Sequence, residues 1–231
     1  MPATDSLTTS FVVEIDGAAL APGHVAAIRA ITVEKGWSAV DRLVLEFDGD
    51  DVPTTIKMGS AVVVKLTAPV AKPPVTGAIF KGEIVGQSVR WSEGVHNVVF
   101  EALDKRHRLA RKIVPKTYAE VTLAAVVSDI AKANKLQSQV PQALMTRTFP
   151  HLIVADSHFA VLQHIARRTG SVWSLDDEKI TFALLTDRAQ VELEVKPPQL
   201  VDFDLRFTPV ERPSNVEVHG WDQPNGALFT G

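Results

Sequence analysis

The chain has 231 residues, with 24 lysines and arginines against 27 aspartates and glutamates and a formal net charge of −3. That length fits one or two domains, with enough core to hold together without metal or disulfide. The 45% hydrophobic and 22% charged content excludes a disordered chain, the near-balance of charge argues against a dedicated nucleic-acid binder, and the absence of cysteine excludes disulfides, thiolate metal sites and cysteine nucleophiles.

The first residues lack the basic and apolar regions of a secretory signal. No apolar run approaches the roughly 18–20 residues of a membrane span. The expectation is a soluble chain made in the cytoplasm, with no membrane anchor.

The first hundred residues read as strands. Residues 11–15 alternate and turn at Asp16-Gly17; residues 28–35 alternate in part and stop at Gly36. Leu43, Leu45 and Phe47 share a face before a turn at Asp48-Gly49-Asp50-Asp51. Residues 61–66 are apolar and β-branched, which predicts a strand buried on both faces. Residues 79–91 predict one long strand bent at Gly82 and Gly86. Ser92-Glu93-Gly94 reads as a hairpin loop, and residues 97–103 return. Six or seven strands joined by turns predict a barrel or sandwich.

The period then changes. Leu123, Val126, Val127 and Ile130 fall on one helical face, with Thr122 as N-cap and Asn134 as stop. A second helix follows Asp156-Ser157; Phe159, Leu162 and Ala166 share a face, and Gly170 suits the left-handed position beyond its end. Phe159 and Leu162 are expected to be buried against a hairpin formed by residues 172–175 and 180–184, which carries Trp173 and Phe182. Strand character resumes at residues 191–195, 201–208 and 215–221. The fold class is mainly β with an α/β insert (α+β). The expected domains are a tube-like β-barrel over residues 1–109, a two-helix α/β insert over 110–198, and the opening strands of a second, incomplete barrel over 199–231.

Residue patterns for catalysis are weak. His24, His96, His107, His151, His158, His164 and His219 form no compact metal-ligand spacing. His158 and His164 lie six residues apart, about 600° around a helix, and point to different faces. Asp156-Ser157-His158 has the residue types of a catalytic triad, but neighbours in sequence cannot form the relay, so helix capping is the reading. Asp48, Asp50 and Asp51 miss the calcium-loop spacing and read as a solvated hairpin tip. Lys105, Arg106, His107, Arg108, Arg111, Lys112 and Lys116 make a basic stretch without interleaved aromatics, read as a solvated or subunit-facing strand end rather than a nucleic-acid contact. Trp37, Trp91, Trp173 and Trp221 read as core or interface residues, with a sugar platform as the alternative. The expectation is no catalytic residue, no cofactor and no metal.

Several segments resemble the baseplate hub of contractile-tailed phages, the late-control D family, and the hub part of VgrG-type spike proteins. Gly59-Ser60-Ala61-Val62-Val63-Val64-Lys65-Leu66 is similar to that family's Gly-x-x-Val-x-Val strand. Ile79-Phe80-Lys81-Gly82-Glu83-Ile84 is similar to its Phe-x-Gly-x-Ile segment. The run from Phe100 to Leu109 resembles a strand ending in Ala-x-Asp with a basic tail closed by leucine. Thr117-Tyr118 and Thr122-Leu123 match the approach to the first helix. Residues 156–170 resemble the family's Ser-Asp-x-x-Phe-Leu-x-x-Leu-Ala-x-x-x-Gly helix, with the Asp and Ser order exchanged and the Phe-Leu pair replaced by Val161-Leu162, shifted by one. Residues 215–222 resemble the Val-x-Gly-Trp-Asp strand that opens a second barrel.

The resemblance implies a structural hub or spike-base component of a contractile injection machine: a phage tail baseplate, a type VI apparatus or an extracellular injection system. Three subunits with two barrels each would adapt a six-fold inner tube to a three-fold spike. It implies a homotrimer in contact with an inner tube protein, a spike tip or spike OB-type domain, and other baseplate proteins. It implies no nucleic-acid specificity and no active site, in a protein made in the bacterial cytoplasm and built into a particle. Because 199–231 would only begin a second barrel, the native product is expected to be longer. A carbohydrate-binding or adhesin β module is the alternative reading, and a tail-associated hydrolase a more distant one.

Overall fold

The computed structural model describes residues 10–36, 39–49, 52–68, 75–92, 95–176, 178–185, 219–222 and 227–230. Alternating apolar residues build the first sheet. Its strands are β1 (Ser10–Ile15), β2 (Ala18–Ala19), β3 (Ile28–Glu34), β4 (Arg42–Asp48), β5 (Ala61–Ala68), β6 (Val75–Ser92) and β7 (Val95–Leu103), with a short helix α1 (Pro22–Ala26) between β2 and β3. All pairings are antiparallel, in the order β2-β1-β5-β6-β7-β4-β3.

One face of this sheet is buried. Val13 and Ile15, Leu43, Leu45 and Phe47, Val62 and Val64, Phe80 and Ile84, and Phe100 and Ala102 form one cluster. Phe47 meets Phe100 edge-on at 5.8 Å. The longer helices belong to a different cluster, so a single sheet covers its own apolar face, which requires it to roll on itself. The roll is not closed by hydrogen bonds: β2 and β3 end the sheet and do not pair. The expected closed tube is therefore an open one. β2 has only two residues before Pro22 starts α1, too few to supply a ladder across the seam, and proline brings no N–H to one.

Two further expectations change. Strand β5 is buried on one face only: Val62 and Val64 are fully buried, whereas on the other face Ala61 is exposed and Lys65 reaches Glu14 at 2.5 Å. Branched side chains on both sides raise strand propensity, but only one side of a rolled sheet faces inward. In β6 the bend at Gly86 is a bulge, with the register shifting between Ile84 and Gly86. Gly82 serves another purpose. A Cβ there would collide with the Leu103 carbonyl and the Phe80 ring, so glycine permits close packing. The second shift in β6 falls opposite Val64 and Lys65.

The insert begins with α2 (Arg106–Ala110), then β8 (Lys116–Thr122), α3 (Leu123–Ala133), β9 (Gln137–Gln139), α4 (Gln142–Met145), β10 (Thr148–Val154), α5 (His158–Thr169), β11 (Ser171–Asp176) and β12 (Lys179–Leu184). β8 and β10 pair antiparallel; β11, β12 and β9 form a second small sheet, with β9 parallel to β12. The two helices expected from sequence are α3 and α5. Thr122 accepts from the Ala125 N–H at 3.2 Å and Ser157 from the Ala160 N–H at 3.3 Å. Gly170 takes φ +62° at the end of α5. Leu123, Val126, Val127 and Ile130 are all buried, as their spacing requires. On α5 the buried stripe is Val161, Leu162, Ile165 and Ala166. Phe159 is only half-buried, lying edge-on to Trp173 at 5.4 Å. It sits in the first turn, at the rim of the packed face.

Residues 1–188 form one compact unit and 189–231 a second. In the second, β13 (His219–Asp222) and β14 (Ala227–Thr230) pair as an antiparallel hairpin. The expected strands at 191–195 and 201–208, the Glu93-Gly94 turn and Trp37 lie outside the described residues.

Candidate functional site

The basic stretch after β7 opens as helix α2 rather than as a strand end; Arg108, Arg111, Lys112 and Lys116 are exposed, but Arg106, at the start of the helix, is buried. Arg106 Nη2 lies 2.5 Å from Asp41 Oδ1 and 2.6 Å from Asp104 Oδ2, Nε donates to Asp104 Oδ2 at 2.7 Å, and Nη1 donates to the Gly36 carbonyl at 3.3 Å. The same carboxylates accept backbone N–H groups: Asp104 from Arg106 and Asp41, and Asp41 from Gly36. The sequence Asp-x-Arg at the end of β7 thus folds back on the β3–β4 connection and ties the sheet to the insert. One fork-shaped cation meeting two carboxylates, each further satisfied, makes a buried ion cluster tolerable.

His107 is also buried. Its Nδ1 donates to the Asp104 carbonyl at 2.6 Å and its Nε2 accepts from Arg111 Nη2 at 2.8 Å. Arg108 pairs with Glu83 on β6 through both its Nε and Nη2. Lys116 reaches Asp129 at 2.7 Å, and Tyr118 donates to the same carboxylate oxygen at 2.5 Å. Hydrogen bonds from Lys116 and Tyr118 hold the Asp129 carboxyl below its usual range. Burial, and then Asp129, push the Tyr118 phenol well above its own. Arg106, Arg108, Arg111 and Lys116 are engaged with partners inside the chain, which leaves Lys105 and Lys112 as a sparse basis for a phosphate-binding stripe.

The triad-like residues do not converge. Asp156 Oδ1 accepts from the Ser157 N–H at 2.6 Å, Ser157 Oγ caps α5, and His158 Nδ1 sits 2.8 Å from Asn134 Nδ2. Burial pushes the His158 pKa down. Among the described residues no three His, Asp or Glu side chains gather as a metal site. His164 is exposed and lies apart from His158, as the helical spacing requires.

Two surface features remain. A cleft of about 330 Å³ beside the Arg106 cluster is lined by Lys35, Trp173, Ser174 and Leu175 as well as by the cluster. Trp173 is buried and its Nε1 has no hydrogen-bond partner among the described residues. The second is the outer half of β6. β5 and the residues just before it pair with β6 only as far as Ile84; from Gly86 to Ser92, among the described residues, it pairs with β7 alone. Val89 and Trp91 there are 64% and 71% exposed, and Trp91 stacks on His96 at 5.6 Å. An open edge with exposed apolar residues invites pairing. Sequence reading treated Trp91 and Trp173 alike; only the register separates the rim from the core.

The Alg8 N-terminal domain model matches residues 74–230, more than half of the chain. The chain belongs to that family. No curated protein matches it. Among solved structures, a tail protein from Neisseria meningitidis MC58 superposes with a TM-score of 0.63 at 12% identity, over 96% of this chain and 67% of that one. The prophage MuSo2 43 kDa tail protein from Shewanella oneidensis gives 0.56 at 14% identity. That match covers 76% of this chain, which spans about half (53%) of the tail protein. A chain of the Francisella PdpA-VgrG complex in its lidded form gives 0.50 at 10% identity, over 77% of this chain and 29% of that one. The fold of this chain is therefore the one seen in these tail proteins and in a chain of the PdpA-VgrG complex. The family match begins just before β6, so it takes in the open β6 edge, the Arg106 side of the cluster and the whole insert; Asp41 and strands β1–β5 precede it.

Proposed function

We propose that this Alg8 N-terminal domain is a structural component of a contractile injection particle, and that three copies form a hub joining a six-fold inner tube to a three-fold spike. The observation that carries the reading is the likeness to a tail protein over nearly the whole chain. An open sheet edge on a rolled β unit supports it, because such an edge is covered when like units stand side by side in a ring. On this reading residues 1–109 are the tube-like unit, 110–198 the insert, and 199–231 the start of a second β unit. The partners are the inner tube protein, a spike tip or OB-type spike domain and other baseplate proteins. The protein is made in the bacterial cytoplasm, incorporated into the particle and acts by contact, without catalysis, cofactor or metal.

Native mass spectrometry of the protein isolated from its particle tests the assembly, with a trimer as the expected mass. A stable monomer or dimer at micromolar concentration overturns the hub reading. Peptidoglycan hydrolysis by the purified chain would overturn the contact-only part.

A further inference from the structure

A cavity of about 310 Å³ opens on the insert where α2, the turn after α3 and the β11–β12 hairpin meet. Its apolar lining is Leu109, which is buried, with Leu136 and Leu175, which pack against the same core. That volume is at the small end for a ligand site and suits one anchoring side chain rather than a cofactor.

The charged lining is three cations against one acid: Lys105, Arg108 and Lys135 against Glu178. Lys105 is half-buried and the other three are exposed, so the charges stand at the rim. Among the described residues, the side chains of the two lysines and of Glu178 make no hydrogen bond or ion pair. Arg108 gives its Nε and Nη2 to Glu83 on β6, which leaves Nη1 for a further acceptor. Asp176 and Lys179 stand opposite each other across the hairpin turn, outside the lining. Positive charge thus gathers around an apolar hollow, on a chain whose formal net charge is −3. Lys135 takes φ +57° just after the C-cap Asn134, a left-handed position that glycine or asparagine fills more easily.

We propose that this cavity is a docking site for an acidic segment of a partner protein that carries one apolar side chain. The apolar side chain would enter among Leu109, Leu136 and Leu175. Carboxylates on either side of it would meet Lys105, Lys135 and the Nη1 of Arg108 at the rim, where water still reaches them. Nucleic acid fits less well: among the described residues no aromatic side chain lines the cavity to stack a base, and three cations make a short phosphate track. The proposal is independent of the trimer reading.

The probe is a fluorescein-labelled peptide, Gly-Glu-Leu-Glu-Gly, titrated against the full chain at low ionic strength by fluorescence anisotropy. Saturable binding is expected, weakened roughly fivefold in Lys105→Gln and in Lys135→Gly and strengthened in Glu178→Gln, which removes the opposing carboxylate. Replacing the peptide leucine by serine should abolish it, because the anchor is gone. Thermal unfolding checks each variant; glycine suits the backbone at 135, so Lys135→Gly is expected to keep the fold, and a lysine that serves only the helix end would leave binding unchanged. The altered peptides test the unaltered protein. The proposal is overturned by equal binding of the peptide with both glutamates replaced by glutamine, by folded lysine variants that bind as before, by tighter binding of a single-stranded oligothymidine that displaces the peptide, or by no saturation up to about 1 mM.

Discussion

The rolled sheet and the insert solve the same problem with different leftovers. The sheet buries one face by curling, so its ends stay open: β2 and β3 do not join, and among the described residues the outer half of β6 has a partner on one side only. The insert packs helices on two small sheets and closes more of its polar ends locally, with hydroxyl caps at Thr122 and Ser157 and a left-handed glycine at 170. A curled sheet offers surfaces to neighbours; a capped helical unit consumes them. The Arg106 cluster is where the two meet, and it belongs to neither core.

That junction gives the largest expected effect. Arg106→Ala leaves Asp41 and Asp104 without their cation in a nearly buried site, so it should destabilise by about 3–5 kcal/mol. Urea unfolding measures it. Adding Asp41→Asn and Asp104→Asn should recover part of the loss, because the stranded charges go with them. A loss below about 1 kcal/mol would mean that the cluster is solvated and that the regions are joined by something else.

Next comes a matched pair of phenylalanines. Phe100 is 2% exposed in the sheet core, and Phe159 is half-buried at the insert's rim. Phe100→Ala should cost about 3–5 kcal/mol and Phe159→Ala about 1–2 kcal/mol, scaled down by its smaller burial. Equal losses in chemical denaturation would break the comparison, because they would place the rim residue in a core as tight as the sheet's.

The elements most legible in the sequence are those specified by local chemistry. Alternation in residues 42–47 and the 3.6-residue period from Leu123 both marked real elements and real core faces, and the caps of both long helices followed from hydroxyl and glycine positions. What escaped depends on distant partners. The Asp-x-Arg after β7 reads as part of a charge run until Asp41, 65 residues from Arg106, is brought beside it. β8 and β10 interrupt their own alternation at Glu120 and Pro150, which hides both strands. The one-sided burial of β5 depends on the rolling of the sheet, which no local window records.

Smaller effects belong to the caps. Thr122→Ala and Ser157→Ala each remove a hydroxyl that accepts a backbone N–H, and each should cost about 1 kcal/mol, with glycine replacements costing less. Thermal unfolding checks this. If either change abolished a particle function while leaving the midpoint unaltered, a chemical role for Ser157 would replace the capping one.

The smallest effect is a pH dependence confined to the insert. Asn134 Nδ2 donates to the Ile130 carbonyl at 2.7 Å and lies 2.8 Å from His158 Nδ1, which must therefore accept. Burial lowers the His158 pKa from the ordinary 6.5, the Asp129 carboxylate opposes that, and Lys116 and Lys112 reinforce it. The folded state then binds a proton less readily than the unfolded one. Its contribution is fully present above about pH 6.5 and is lost as the pH falls through the lower folded value, with a slope of at most about 1.4 kcal/mol per pH unit. His158→Gln should flatten that part of the stability curve, leaving the separate loss below about pH 4, where the depressed Asp129 carboxyl takes up its proton. Urea midpoints of the two proteins, compared between about pH 7.5 and about pH 5, decide it. Parallel curves would mean that His158 titrates freely and that its bond to Asn134 does not hold the ring neutral.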